Sequence, residues 1–233
     1  AMNMQKTLDR RKSISNVIFY GQKGPVHAKT DGQKKLLDSL CKNDIVISIG
    51  PAGTGKTFLA VAYALSLLEK HEIEKIIFCR PAVEAGESLG FLPGDLKDKI
   101  DPYLAPLYDA LHELLPKSKI KMLLSKGIIE IIPLAYMRGR TINRSVMILD
   151  EAQNSSTIQM KMFLTRLGVD SRAIITGDIS QIDLPKKSSS GLVSGLNILK
   201  NIKDIGIVEL NEHDIARHHL VKHIINAYSK SKG

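Results

Sequence analysis

The stretch Gly50-Pro51-Ala52-Gly53-Thr54-Gly55-Lys56-Thr57 constrains the fold of this chain more than any other feature. It satisfies the spacing G-x-x-x-x-G-K-[ST] at every position. A β-branched apolar run at 45–49 precedes it, and a helical apolar pattern at 57–70 follows it. Strand, glycine loop and helix in that order form a cradle for phosphate. The glycines let the backbone turn and aim its N–H groups inward, and the helix start adds partial positive charge. Lys56 is expected to reach the β- and γ-phosphates as a point charge, and the Thr57 hydroxyl to ligate Mg²⁺. By itself the motif does not separate ATP from GTP.

The rest of the chain agrees with that nucleus. Apolar runs at 45–49, 75–79, 128–132, 146–149, 172–176 and 207–210 read as strands. Several are continuous and β-branched, as in strands buried on both faces of a parallel sheet. Helical patterns lie between them at 57–70, within 94–125, and at 156–167, 190–200 and 217–228. The alternation predicts an α/β fold: a P-loop NTPase with a mostly parallel sheet flanked by helices. Ligands then sit at the carboxyl ends of the strands. A basic, polar arm is expected over 1–20 and a single domain over 21–233. The proline- and glycine-rich connection at 81–127 is too long for a simple crossover and reads as a loop followed by a small helical insertion. Ser190 reads as the N-cap of the helix that follows it.

Two more strand ends carry chemistry. The run Val146-Met147-Ile148-Leu149 ends in Asp150-Glu151. Asp150 is expected to hold the metal directly or through water, and Glu151 to orient and deprotonate the attacking water. The strand at 172–176 ends in Gly177-Asp178, with Gln181 three residues on. Gln181 is expected to sense the γ-phosphate, and Asp178 to hold that loop or a water near the nucleotide. Upstream of the cradle, Gln33 either reads an adenine edge with its amide or is a solvated helix residue. No Asn-Lys-x-Asp guanine-reading motif occurs in the chain, which weighs against GTP.

These segments resemble the PhoH family. The resemblance rests on the cradle, Arg80-Pro81-Ala82-Val83-Glu84-Ala85-Gly86-Glu87, Met137-Arg138-Gly139-Arg140-Thr141, Ile148-Leu149-Asp150-Glu151-Ala152-Gln153-Asn154 and Thr176-Gly177-Asp178-x-x-Gln181-x-Asp183-Leu184-Pro185. It runs from about Gly32 to the end. It implies a RecA-like fold similar to the first motor domain of superfamily 1 helicases. It also implies ATP binding, an ATPase role in RNA metabolism or phosphate starvation, and assembly into a homo-oligomeric ring, such as a hexamer. A helicase motor uses two such lobes and this chain has one, so any motor action would need neighbouring subunits. Asp214-Ile215-Ala216-Arg217-His218 resembles the family's C-terminal segment, which makes Arg217 an arginine-finger candidate in its own site or a neighbour's.

Charge and composition narrow the partners. The net charge of +9 favours a polyanion such as single-stranded RNA. Only 5% of residues are aromatic and none is Trp, so backbone contacts should outweigh base stacking. Arg80, Arg138 and Arg140 follow strands. They are expected to contact RNA phosphates or the nucleotide, or else to pair internally with Glu84, Glu87 or Asp150. The seven histidines lack metal-ligand spacing, and Cys41 and Cys79 read as inert thiols of a reduced, cytoplasmic protein. No apolar h-region follows Arg10-Arg11-Lys12 and no apolar run approaches the roughly 18 residues of a membrane span, so neither signal peptide nor membrane segment is expected. The chain is also readable as a fragment of a longer protein. Two functions remain open: ATP hydrolysis, or a nucleotide-gated RNA-binding or assembly module with little intrinsic hydrolysis.

Overall fold

Alternate residues of the central strands point to opposite faces, and both faces are apolar. In the computed structural model, which describes residues 17–81, 96–186 and 190–216, this pattern produces two cores with one sheet between them. Val46, Ile76, Phe78, Val146, Ile148 and Ile174 face one side. Ile47, Ile77, Cys79, Met147, Leu149 and Ile175 face the other. A sheet sealed in this way is stable when all its strands run parallel and helices cover both faces.

The sheet strands are β3 (Ile45–Ile49), β4 (Lys75–Arg80), β5 (Ile129–Pro133), β6 (Ser145–Leu149), β7 (Arg172–Gly177) and β8 (Ile205–Glu209). Their order is β5-β4-β6-β7-β3-β8, and every pairing is parallel. Helices α1 (Asp31–Lys42), α2 (Lys56–Glu69), α3 (Leu96–Leu114) and α4 (Lys117–Ser125) build the first core. Helices α5 (Thr157–Leu164) and α6 (Gly191–Leu199) build the second. Helix α2 is buried along most of its length, and Ala60, Ala62 and Ala64 are fully covered. A helix apolar all round suits this position between the sheet and its neighbours.

Each expected strand is present, with ends moved by a residue or two. The insertion resolves into α3 and α4, while residues 82–95 lie outside the described part. Two elements lack a sequence reading of their own: helix α1 and a short hairpin of β1 (Phe19–Gly21) and β2 (Gly24–Val26). The hairpin also moves a boundary. Phe19, inside the stretch expected to be an arm, is 3% exposed and belongs to the first core. Among the described residues, no helix is long and apolar enough to cross a membrane.

Strand order sets the geometry of everything that follows. The loop after β3 and the acids after β6 open at the same sheet end, but β7 lies between the two strands. Residues at the tip of β7 therefore stand between the loop and the acids.

Candidate nucleotide site

The glycine loop has the conformation that its residue types allow. Gly50, Gly53 and Gly55 take φ of 147°, 83° and 85°. A Cβ on Gly50 would lie 2.4 Å from the Leu210 carbonyl oxygen, so no larger residue fits there. Lys56 opens α2 and curls its ammonium back over the loop. It donates to the carbonyls of Gly50 at 2.7 Å and Pro51 at 2.8 Å, and to Thr54 Oγ1 at 3.3 Å. The charge is thus held above the loop by weak neutral acceptors, where phosphate oxygens are stronger partners.

Thr57 donates from Oγ1 to Asp150 Oδ1 at 2.7 Å. Thr176, at the tip of β7, donates to the same oxygen at 2.7 Å. The Asp150 backbone N–H donates to the Cys79 carbonyl, extending the ladder to the strand end. A hydroxyl and a carboxylate side by side are hard oxygen donors, the kind that Mg²⁺ prefers. Among the described residues, no three His, Cys, Asp or Glu side chains form a metal-holding group. Thr57 and Asp150 thus fit a magnesium ion that takes its remaining oxygens from phosphate and water.

Glu151 lies just beyond, in the left-handed backbone region at φ 52°, ψ 39°. For a non-glycine residue that costs about 1 kcal/mol or more. Two contacts hold it. Arg80 Nη2 lies 3.2 Å from Oε1, and Gln153 Nε2 donates to Oε2 at 2.6 Å. Arg80 Nε also lies 4.0 Å from Asp150 Oδ2. Of the expected pairings for Arg80, the one with the acid at the tip of β6 is thus present. Arg140 pairs elsewhere: both terminal nitrogens meet Glu130 on β5, at 2.8 and 3.2 Å. Its partner is thus Glu130 and not the expected Asp150, while the other expected partners, Glu84 and Glu87, lie outside the described residues. Burial would raise the Glu130 pKa, but Arg140 and Lys75 outweigh it and hold the group below the usual carboxylate range. Arg138 is exposed.

Gln153 was not singled out by sequence, yet it touches three expected site residues. Besides Glu151, its Nε2 donates to the Gln181 carbonyl at 3.2 Å, and its Oε1 accepts from the Asp178 N–H at 3.0 Å. It is 1% exposed. Asn154 and Asp183 form a second clip, with Asn154 donating to Asp183 Oδ2 and the Asp183 N–H donating to Asn154 Oδ1. Together they pin the loop after β7 to the turn after β6. Within that loop, Asp178 accepts from Ser180 and from Gln181 Nε2 at 2.7 Å. Asp178 therefore holds the loop, and Gln181 sits beside the Glu151–Gln153 pair. Ser190 occupies the N-cap position of α6, but its hydroxyl donates to the Gln153 carbonyl instead of capping the helix.

Gln33 is buried at 3% exposure against the loop. Its Nε2 donates to the Thr54 carbonyl at 2.9 Å, and its Oε1 accepts from the Lys29 N–H at 2.7 Å. It belongs to α1, but it is not a solvated helix residue. The last described segment lies alongside: the Ala216 N–H donates to the Gly53 carbonyl at 3.0 Å. Arg217, the next residue, is outside the described residues.

A glycine cradle between β3 and α2, with its threonine on the acid at the tip of a parallel strand, defines a RecA-like P-loop domain of the nucleotide-binding class. The family model described as "PhoH-like protein" matches residues 25–229, and the chain belongs to that family. It is 58% identical over 205 residues to a PhoH-like protein of Bacillus subtilis (strain 168), covering 88% of this chain and 64% of the relative. It is 42% identical over 207 residues to Protein PhoH of Escherichia coli (strain K12), covering 88% of this chain and 58% of that protein. The chain thus spans under two thirds of the length of the curated relatives it matches. Among solved structures, it is similar to the Sulfolobus solfataricus SWI2/SNF2 ATPase core in complex with dsDNA, with a TM-score of 0.47 and 14% identity over 86% of this chain and 47% of that one. It is also similar to Bacteroides Pif1 bound to ssDNA, with a TM-score of 0.36 and 18% identity over 78% and 41% of the two chains.

Proposed function

We propose that this domain hydrolyses ATP to ADP and phosphate with Mg²⁺ and works on single-stranded RNA, in RNA metabolism or the phosphate-starvation response. The observation that carries this reading is the bridge from Glu151 through Arg80 to Asp150, which accepts a hydrogen bond from Thr57 of the cradle. Lys56 and the loop N–H groups bind the phosphates. Magnesium, held by Thr57 and Asp150 when bound, would neutralise charge on the β- and γ-phosphate oxygens. Glu151 orients a water and takes its proton as the oxygen attacks the γ-phosphorus and the bond to the β-phosphate oxygen breaks. Gln181 senses the γ-phosphate. Gln33 reads the base. Its amide has one N–H and one lone pair beyond those already bonded to Thr54 and Lys29, which suits the paired acceptor and donor of an adenine edge.

RNA binding is supported by the net charge of +9 and by Arg138 and Tyr136, both exposed just past β5 at the site end of the sheet. Arg217 acts as an arginine finger, in its own site or a neighbour's, within a homo-oligomeric ring such as a hexamer. Cys41 and Cys79 are free thiols, which supports a reducing, cytoplasmic setting.

A specific observation favours slow basal turnover. Both carboxylate oxygens of Glu151 are engaged, one by Arg80 and one by Gln153. The second reading is therefore a nucleotide-gated RNA-binding or assembly module. Phosphate release separates the two, measured with and without single-stranded RNA and across protein concentration. Release above that of Glu151→Gln, rising with RNA, is expected. Release equal to that variant even with RNA leaves the gated module standing. A rate per subunit that rises with concentration supports an in-trans Arg217.

A further inference from the structure

The base side of the loop is closed by a carboxylate far away in sequence. Asp214 is 4% exposed, and both of its oxygens accept hydrogen bonds, Oδ1 at the N-terminus of α1 and Oδ2 within its own segment. Oδ1 accepts from Thr30 Oγ1 at 2.5 Å and from the Gly32 N–H at 3.1 Å. Oδ2 accepts from the Asn211 N–H at 2.9 Å. A negative charge here also meets the positive end of the α1 dipole. The fit is close: a Cβ on Gly32 would lie 2.3 Å from Asp214 Oδ2.

The contacts run on to Gln33. Thr30 Oγ1 donates to Asp214 and accepts from the Gln33 N–H at 3.2 Å. Gln33 then bridges Lys29 to Thr54 of the loop. The segment carrying Asp214 returns to the same loop through Ala216 on Gly53, while the Leu210 N–H donates to the Ile49 carbonyl. Loop, Gln33, the start of α1 and the 210–216 segment thus form a closed ring of hydrogen bonds.

We infer that Asp214 is a positioning residue for base recognition: by clamping the start of α1 it fixes the Gln33 amide beside the phosphate loop. This rests on the reading of the site as an adenine-nucleotide site. The clamp acts through Gln33 and touches no phosphate. Its loss should therefore weaken the base contact and spare the cradle. Asp214 itself makes no hydrogen bond to the strand-borne acids or to the loop N–H groups among the described residues, so those groups are expected to keep their places.

The test uses the full chain and two independent lesions, Asp214→Ala and Gly32→Ala, the second of which pushes on the carboxylate without removing it. Equilibrium binding of ADP, GDP and inorganic tripolyphosphate is measured with Mg²⁺, alongside thermal unfolding without ligand. Both variants should lose ADP affinity on the order of tenfold, as expected for a misplaced polar contact. Their ADP-to-GDP preference should fall, and tripolyphosphate binding should stay within about twofold of the parent. An unchanged ADP-to-GDP ratio in both variants overturns the inference. So does an equal loss of ADP and tripolyphosphate binding, which would make the clamp a general support of the loop. If the unaltered chain binds tripolyphosphate but shows no preference for ADP, both the adenine reading and the clamp fall. Intact ADP preference with insensitive variants removes the clamp alone.

Discussion

The two flanks of the phosphate loop are built on different principles. On the acid flank, Asp150, Glu151, Thr176 and Asp178 leave neighbouring parallel strands, so their places follow from the sheet. On the base flank, Gln33 and Asp214 stand at the ends of segments that meet across 182 residues, between Gly32 and Asp214. Strand tips are fixed by cores on both sides. The base flank depends on one buried carboxylate and a relay of hydrogen bonds. The acid flank should therefore show its lesions in turnover, and the base flank in affinity and in acid stability.

The largest separation is expected from Glu151→Gln. The amide keeps the shape but takes no proton, so turnover should fall about 10²- to 10⁴-fold while ADP affinity changes little. Single-turnover phosphate release with parallel ADP titration reads both. Comparable losses in the two would put Glu151 on the binding side and undo the contrast. Lys56→Ala should do the reverse, lowering nucleotide affinity about a hundredfold by removing the charge from the cradle. Titration calorimetry with Mg-ADP detects it, and near-normal affinity would contradict the cradle assignment.

Gln153→Ala sharpens the comparison at an intermediate level. It frees Glu151 Oε2, which alone would favour proton uptake, but it also uncouples the 178–181 loop that carries Gln181, and that loss dominates. Turnover should drop about tenfold with ADP affinity held within a few-fold. A variant that loses affinity but keeps its rate would place Gln153 with the base flank.

The smallest effect belongs to pH. Burial would raise the Asp214 pKa. Hydrogen bonds from Thr30, Asn211 and Gly32, with His213 nearby, outweigh that and hold it below its usual value. A carboxylate depressed in the folded state adds stability above its unfolded pKa of about 3.9, and loses it as pH falls through the lower folded value. Urea midpoints for the unaltered chain and Asp214→Asn should therefore differ near neutrality and converge as pH drops below about 4. A gap that widens in acid would show the opposite linkage.

The acid flank was legible in the sequence because each part is local: an apolar run, then a polar tip. Asp150, Glu151 and Thr57 could be placed from their own neighbours. Gln153 lay in plain view within the same motif, but its role depends on a loop 25 residues onward and on the amide's reach to Asp178. The pairing of Arg140 with Glu130 was missed for a similar reason. Both belong to the β5 region, where the turn after the strand brings the guanidinium back over it. Helix α1 carries no long apolar stripe, yet Leu36, Leu37 and Leu40 bury it against the first core. Phe19 reads as part of a polar arm until the hairpin turns it inward.

The interposed strand β7 also works as a gauge. Two strand spacings of about 4.8 Å separate the backbone of β3 from that of β6, so the loop and the acid strand stand roughly 10 Å apart at the sheet plane. Thr57 reaches Asp150 Oδ1 from the loop side of that gap, and Thr176 from β7 within it. A slide of β7 by one residue along its neighbours would carry Thr176 to the opposite face and swap it for a glycine or an isoleucine. The register of a single strand, fixed by packing on both of its faces, thereby decides which side chain meets Asp150 between the loop and the acid strand.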